Sequence, residues 1–293
     1  TIYYDTVSGG PYGSSTTRDA SLSNTITISS LTNGQIYYFR ISATDDITTE
    51  GALETEFWIR PMATPGAPGQ PSVTAGNSQV DVSWSAGTSG GTGVSIDYYR
   101  VHRSDNGGSY TFMTDQVPEG DPTDWIDYSA QNDHDYRYRV QTQVTISLSY
   151  LDGVTDEQTL VSAWSTESAI AHPQTVPDAP SISATYGDEQ NEISWTPGFD
   201  QGSDVIGFYV FRRGEGQSYN WNNPIYEPGP TDTDWTDTSV TNGESYWYTI
   251  IAENGVGNSS AATETAEIIP AGVPKAPQVT SVLNSSSWVY ISW

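Results

Sequence analysis

One spacing occurs three times in this chain and limits its fold more than any other feature. Val240 is followed by the turn Asn242-Gly243, then by Tyr246, Tyr248, Ile250 and Ala252 at every second position. Leu31, Asn33, Gly34, Tyr37, Phe39, Ile41 and Ala43 repeat it, as do Ala130, Asn132, Asp133, Tyr136, Tyr138, Val140 and Thr142. Alternation of apolar and polar residues places one face of a β-strand in a core. Its recurrence after the same turn marks an internal repeat, so the chain is a series of like β modules.

A turn, a tyrosine at fixed offset and an alternating strand resemble the tyrosine corner of immunoglobulin-like sandwiches, whose hydroxyl bonds back to the turn backbone. The fuller pattern, ending in Ala252 and Asn254, resembles fibronectin type III modules over nearly the whole chain. The resemblance implies an all-β fold of tandem fibronectin type III-like β-sandwiches in an extended array. Tyr37, Tyr136 and Tyr246 are then corner residues. Trp84, Trp195 and Trp293, each ending an alternating second strand, are core residues. The resemblance says little about function, since such modules occur in adhesins, enzymes, receptors and virus tails.

Four segments follow. Residues 1–63 read as the later strands of a module, with Ile2-Tyr3-Tyr4 ending a strand, Ile26 and Ile28 on a strand leading to the Leu31 corner, and Phe57 and Ile59 on the closing strand. Residues 64–175 read as a whole module entered through Pro65 and Pro68, which stiffen the linker. Within it Val144, Ile146, Leu148 and Tyr150 alternate, Asp152-Gly153 signals a hairpin, and Leu160 to Trp164 returns. This lengthened hairpin is expected to pack on the next module or on another chain. Residues 176–271 read as a further whole module, with Asn254 to Gly257 as the loop before its last strand. Residues 272–293 read as the first two strands of one more. The chain therefore reads as a window on a longer array, or as a chain whose ends complete each other between molecules.

The formal charge is −26, with Lys275 the single lysine. Such a surface repels phosphate backbones, which excludes nucleic acid as a partner class. It also suits solubility in salty surroundings. There is no cysteine, hence no disulfide framework or thiolate metal site. No apolar run reaches the roughly 20 residues of a membrane-spanning helix.

No catalytic constellation stands out. His102, His134 and His172 lie in separate segments without metal-ligand spacing and read as exposed strand or linker residues. Gly87-Thr88-Ser89-Gly90-Gly91 matches the nucleophile-elbow pattern, but no helix follows and it reads as a loop. Asp121, Asp124 and Asp127 recur as Asp232, Asp234 and Asp237 around Trp125 and Trp235. Clustered carboxylates suit calcium, whereas turn capping by the same side chains needs no ion. The expectation is no cofactor. Arg137 and Arg139 flank Tyr138 and point away from the core, toward aromatic rings or carboxylates. Trp221, in a loop rich in asparagine, is a candidate glycan contact. Asn258 and Asn284 fit the glycosylation acceptor pattern. Val289, Ile291 and Trp293 on one face, with Trp288 and Tyr290 on the other, are candidate self-assembly residues.

These readings converge on a structural, non-catalytic extracellular fibre, filament or stalk that associates with itself. The alternatives are an adhesin, the carbohydrate-binding spacer of a secreted enzyme, and a phage tail component.

Overall fold

A computed structural model describes residues 1–18, 25–45, 47, 49–116, 123–149 and 155–293. Among the described residues there is no helix. The chain divides into two compact units, Thr1–Pro173 and Gln174–Trp293.

The first module contributes β1 (Ile2–Asp5), β2 (Ser14–Thr16), β3 (Tyr37–Ile41) and β4 (Phe57–Ile59), which form one antiparallel sheet in the order β2-β1-β3-β4. Residues 25–29, expected to be a strand through Ile26 and Ile28, form none. In the whole module that follows, the corresponding segment, Asp124–Asp127, is a strand because the second strand of its own sheet pairs with it. Among the described residues of 1–63 no strand is paired with this segment.

The second module contains β5 (Ser72–Gly76), β6 (Gln79–Ser83), β7 (Tyr98–Asp105), β8 (Thr111–Gln116), β9 (Asp124–Asp127), β10 (Tyr136–Ser149) and β11 (Thr155–Val161). One sheet runs β5-β6-β9 and the other β11-β10-β7-β8, all antiparallel. Val80, Val82 and Trp84 of the first sheet's side meet Tyr99, Val101, Tyr136, Tyr138 and Val140 of the other in one buried core. This is a β-sandwich. Trp84 is packed edge-on against Tyr99, with ring centroids 5.7 Å apart. The lengthened hairpin is β10 with β11, paired from Gln143 to Ser149; Tyr150 and the Asp152-Gly153 turn lie outside the described residues. Val144 and Ile146 are buried, and β10 lies against β4. Within the first unit, β10 thus meets the preceding module.

In the second unit, β12 (Ser181–Tyr186), β13 (Asn191–Thr196) and β15 (Asp234–Asp237) form one sheet, and β14 (Val205–Gly214) pairs with β16 (Tyr246–Asn254). Their core holds Ile193, Trp195, Phe208, Val210, Tyr248 and Ile250. A last hairpin, β17 (Ser281–Asn284) with β18 (Val289–Ser292), pairs only with itself. Trp293, expected in a core, is 78% exposed. Trp84 and Trp195 are covered by a facing sheet, whereas among the described residues no sheet faces β17–β18.

The closing segment of each whole module is tighter than a strand. Ser162, Ser165, Ser168 and Ala171 donate backbone N–H groups to the carbonyls of Thr142, Val140, Tyr138 and Tyr136. Three residues advance for every two of β10, so the closing segment cannot supply every acceptor that the strand edge needs. The hydroxyls of Ser162, Ser165 and Ser168 replace them, accepting from the N–H groups of Thr142, Val140 and Tyr138 at 3.0 Å. Ser259, Ala262, Thr265 and Ile268 run along β16 with the same period. Serines at every third position thereby satisfy the strand edge of the second module without a regular strand, and Ser259 and Thr265 do so for Ala252 and Tyr248 in the third.

Within the first unit the two modules meet through backbone. The N–H of Thr92 bonds the carbonyl of Asn33 at 3.2 Å, and the N–H of Ala63 bonds that of Gly90 at 3.1 Å. The glycine-rich loop that carries the nucleophile-elbow pattern is seated on the corner of the first module.

Candidate functional site

The three corner tyrosines make the same bond. Tyr37, Tyr136 and Tyr246 each accept, at the phenol oxygen, the backbone N–H five residues earlier: Thr32 at 3.0 Å, Gln131 at 3.0 Å and Thr241 at 3.1 Å. Tyr136 is fully buried, while Tyr37 and Tyr246 are partly so.

Behind two of these corners lies an ionic network that ties the two sheets together. Asp127 of β9 is 1% exposed. It accepts from Arg103 of β7 at 2.7 Å, from the Tyr138 hydroxyl of β10 at 2.9 Å, and from the hydroxyl and N–H of Ser129 at 2.6 and 2.9 Å. Asp237 repeats this with Arg212 at 2.5 Å, Tyr248 at 3.0 Å and Ser239 at 2.6 and 2.9 Å. The guanidinium then lies over the corner ring, Arg103 at 4.7 Å from the Tyr136 centroid and Arg212 at 5.2 Å from that of Tyr246. Burial alone would raise either carboxyl, but the bonds from serine and arginine outweigh it and hold both below the ordinary carboxylate range. Burial, with help from the adjacent carboxylate, pushes the hydroxyls of Tyr138 and Tyr248 up, so they stay protonated donors.

The outer face of the sheets carries a second repeated device. Glu167 accepts from the Tyr110 hydroxyl at 2.7 Å and from Arg137 at 3.1 Å. Glu264 accepts from Tyr219 at 2.9 Å and takes Arg213 through two bonds of 2.9 and 3.0 Å. In the first module Glu56 accepts from Tyr12 and from Ser8 at 2.5 Å. Burial, then the neighbouring Glu167, pushes Tyr110 up to about 12. In retrospect the signal is in the chain: Gly9-Gly10-Pro11-Tyr12, Gly107-Gly108-Ser109-Tyr110 and Gly216-Gln217-Ser218-Tyr219 match, as do Thr55-Glu56, Thr166-Glu167 and Thr263-Glu264. The two halves of the clasp lie far apart in sequence, so no local pattern joins them.

Around this clasp in the second module, Arg139 is sandwiched between Tyr110 at 4.2 Å and Trp164 at 4.3 Å. His102 follows, its ring 4.4 Å from Trp164, and then Phe112 and Arg100. His102, expected to be exposed, is therefore half-buried, because rings from the neighbouring strand and the closing segment cover it. Its burial, followed by the charges of Arg139 and Arg100, lowers its pKa, so the imidazole stays neutral. His134 and His172 bond Asp105 and Asp135 at 2.9 and 2.7 Å.

The third module has a smaller cluster. Arg213 lies 4.2 Å from the Trp247 centroid and 5.7 Å from that of Tyr219, and Trp221 packs on Tyr219 and edge-on against Phe211. Trp221 is 51% exposed, so one side of its ring faces solvent. Asn258 and Asn284 are exposed. Trp288, Val289, Tyr290 and Ile291 are exposed on the last hairpin, with no facing sheet.

Of the aspartates weighed for calcium, Asp127 and Asp237 have their oxygens committed to arginine, tyrosine and serine, and Asp232 caps the N–H of Gly229 at 2.9 Å; Asp121 lies outside the described residues. Among the described residues no group of three or more histidine, aspartate or glutamate side chains is placed to hold a metal ion. No described helix is long and apolar enough to cross a membrane.

No family model matches the chain. The chain is similar to exoglucanase B of Cellulomonas fimi, at 23% identity over 94% of this chain and 24% of that protein. It therefore spans about a quarter of the curated relative it matches. Among solved structures it is similar to a titin kinase with its flanking domains, at 21% identity over 33% of this chain and 17% of that one, with a TM-score of 0.30.

Proposed function

We propose that this chain is a non-catalytic array of β-sandwich modules, fibronectin type III-like in its corners, that spaces the parts of a secreted carbohydrate-active enzyme. The observation that carries this reading is the match to exoglucanase B, which extends over 94% of the chain but 24% of the relative. A segment of that proportion, built of like modules, suits a connecting region. The side chains that recur between modules support it, because the corner, the ionic network and the outer clasp all bind one part of a module to another. Secretion belongs to the same proposal.

Glucan hydrolysis by residues 1–293 alone, by the longer polypeptide that carries them, and by that polypeptide with the segment deleted tests the reading. The expected result is no hydrolysis by 1–293, hydrolysis by the longer polypeptide, and altered turnover of insoluble glucan after deletion. Hydrolysis by 1–293, or a longer polypeptide without activity on any glucan, overturns it.

Two finer readings have one observation each. The solvent-facing ring of Trp221 favours a glycan contact, for which binding of soluble glucan should be lost in Trp221→Ala. The exposed apolar residues of β17–β18 favour strand exchange into a fibre. Sedimentation of 1–293 against 1–272 tests this, since equal sedimentation of monomers removes the fibre reading.

A further inference from the structure

The sequence holds four Asn-Gly pairs, at 33–34, 106–107, 242–243 and 254–255. Such a pair can react with itself. Glycine has no Cβ to hinder its backbone nitrogen, which can attack the side-chain carbon of the asparagine before it. The reaction needs that nitrogen free and that amide within reach.

Three of the pairs fail one condition. Gly34 and Gly243, with φ angles of 87° and 90°, each donate the N–H to a proline carbonyl, Pro61 at 2.8 Å and Pro270 at 2.9 Å. Gly34 is also covered: a Cβ built there would lie 2.2 Å from the Thr92 carbonyl oxygen, whereas one built on Gly243 meets nothing within 4 Å. Asn254 is 2% exposed. Its Nδ2 donates to the carbonyls of Thr175, Asp200 and Ser203, and its Oδ1 accepts from the N–H groups of Val256 and Gly257.

The fourth pair is the tip of the β7–β8 hairpin. Asn106 and Gly107 are exposed, with φ 47° and 73°, in a turn closed by the Gly108 N–H donating to the Asp105 carbonyl at 2.8 Å. Among the described residues no backbone carbonyl accepts from the Gly107 N–H, and a Cβ on Gly107 would meet nothing within 4 Å. The Asn106 amide is held from the other side. Its Oδ1 accepts from the Asp135 N–H at 2.9 Å, and its Nδ2 lies 3.3 Å from His134 Nδ1. Attack at Cγ puts negative charge on that oxygen, where a fixed N–H donor helps most.

We propose that Asn106 is a self-modification site, which the folded chain converts to aspartate and isoaspartate. The Gly107 nitrogen gives its proton to solvent base and bonds to the Asn106 Cγ. The bond from Cγ to Nδ2 breaks, and the nitrogen takes a proton from water and leaves as ammonia. Water then opens the five-membered imide. Addition at Cγ frees the Gly107 nitrogen from it and gives aspartate; addition at the backbone carbonyl carbon gives isoaspartate. Nothing is oxidised or reduced. In isoaspartate the backbone is longer by a methylene, and the turn no longer fits the corner of β10. There the Asn106 N–H donates to the Asp135 carbonyl at 2.8 Å and the Asn106 side chain accepts from the Asp135 N–H. The new charge also joins the carboxylates of Asp105 and Asp135. The reaction thus unfastens the hairpin from the corner as the protein ages, whatever the module array serves.

Incubation of 1–293 in mildly alkaline water labelled with heavy oxygen, then digestion and mass spectrometry, reads each pair separately. A hydrogen bond that must break first slows attack, so Asn106 should take up label about tenfold or more ahead of Asn33, Asn242 and Asn254. In denaturant all four pairs share one chemistry, and the gap should close. Label appearing first at another pair, equal rates in the folded chain, or a gap unchanged in denaturant overturns the proposal. The reacted fraction should also exchange its 133–136 amides faster than the unreacted one, and equal exchange overturns the unfastening.

Discussion

The first module and the two that follow it hold the same place in the fold by opposite chemistry. In the second module, Arg103 pairs across the sheet with Tyr138 and both reach Asp127. In the first, Tyr4 pairs with Phe39 at the same register behind the corner, and the Tyr4, Phe39 and Phe57 rings stack at 5.7 and 5.4 Å. Ile28 stands where Asp127 stands, so all three members changed together. The comparison teaches that the network is a tie between sheets. Its carboxylate comes from one sheet, its arginine and tyrosine from the other, and an ion brought that deep is tolerable only when every partner is present.

The largest expected effect breaks the tie. Arg103→Ala leaves a buried carboxylate without its cation and should cost the second module about 3–5 kcal/mol in chemical denaturation. Installing the first-module set (Asp127→Ile, Arg103→Tyr and Tyr138→Phe together) should recover most of that loss, since apolar replacement of a whole buried pair is often neutral. A triple variant as unstable as the single one would show that the network does more than tie the sheets.

Acid should separate the modules next. The carboxyls of Asp127 and Asp237 have folded pKa values below the unfolded value, so their stabilising contribution is present above about pH 4 and lost as pH falls through the folded value. Thermal unfolding between pH 5 and 2 should show transitions of the second and third modules moving downward. In Asp127→Asn that sensitivity should shrink for the second module alone. His102 acts at higher pH in the same direction. Its folded pKa is lowered, so stability is full above about 6.5 and declines as pH falls below it, and His102→Gln should remove that step.

Smaller effects sharpen the comparison at the corners. Tyr136→Phe removes the acceptor of the Gln131 N–H from a part-buried bond, at a cost of about 0.5–1.5 kcal/mol. Tyr37→Phe should cost less, because Tyr37 is only partly buried, its bond is exposed and water can replace the phenol. At the surface, Arg213→Ala should have the smallest effect on the unfolding midpoint, since Glu264 remains well solvated and exposed ion pairs contribute little.

The corners were readable because turn, tyrosine and strand lie within one short stretch. The outer clasp went unread although both halves recur three times, since Tyr110 and Glu167 meet only when the closing segment crosses to the edge of β10. His102 was misread because strand alternation says which face a residue is on, not what covers that face. The glycine loop at 87–92 resembled a nucleophile motif because sequence records its composition and not the backbone it rests on.

By itself the sequence determined the strand periodicity, the corner turns and the absence of cysteine. These are local properties, set by backbone sterics and by which side of a pleat is apolar. Tertiary structure alone decided that Asp127 and Asp237, which cap the turns beside them through Ser129 and Ser239, also hold an arginine and a tyrosine from the facing sheet. It also decided that the lengthened hairpin meets the module before it, and that two glycines with the same backbone angle differ in having a neighbour. Each of these depends on elements distant in sequence being brought together, where desolvation and close approach fix what a side chain, or the lack of one, can do.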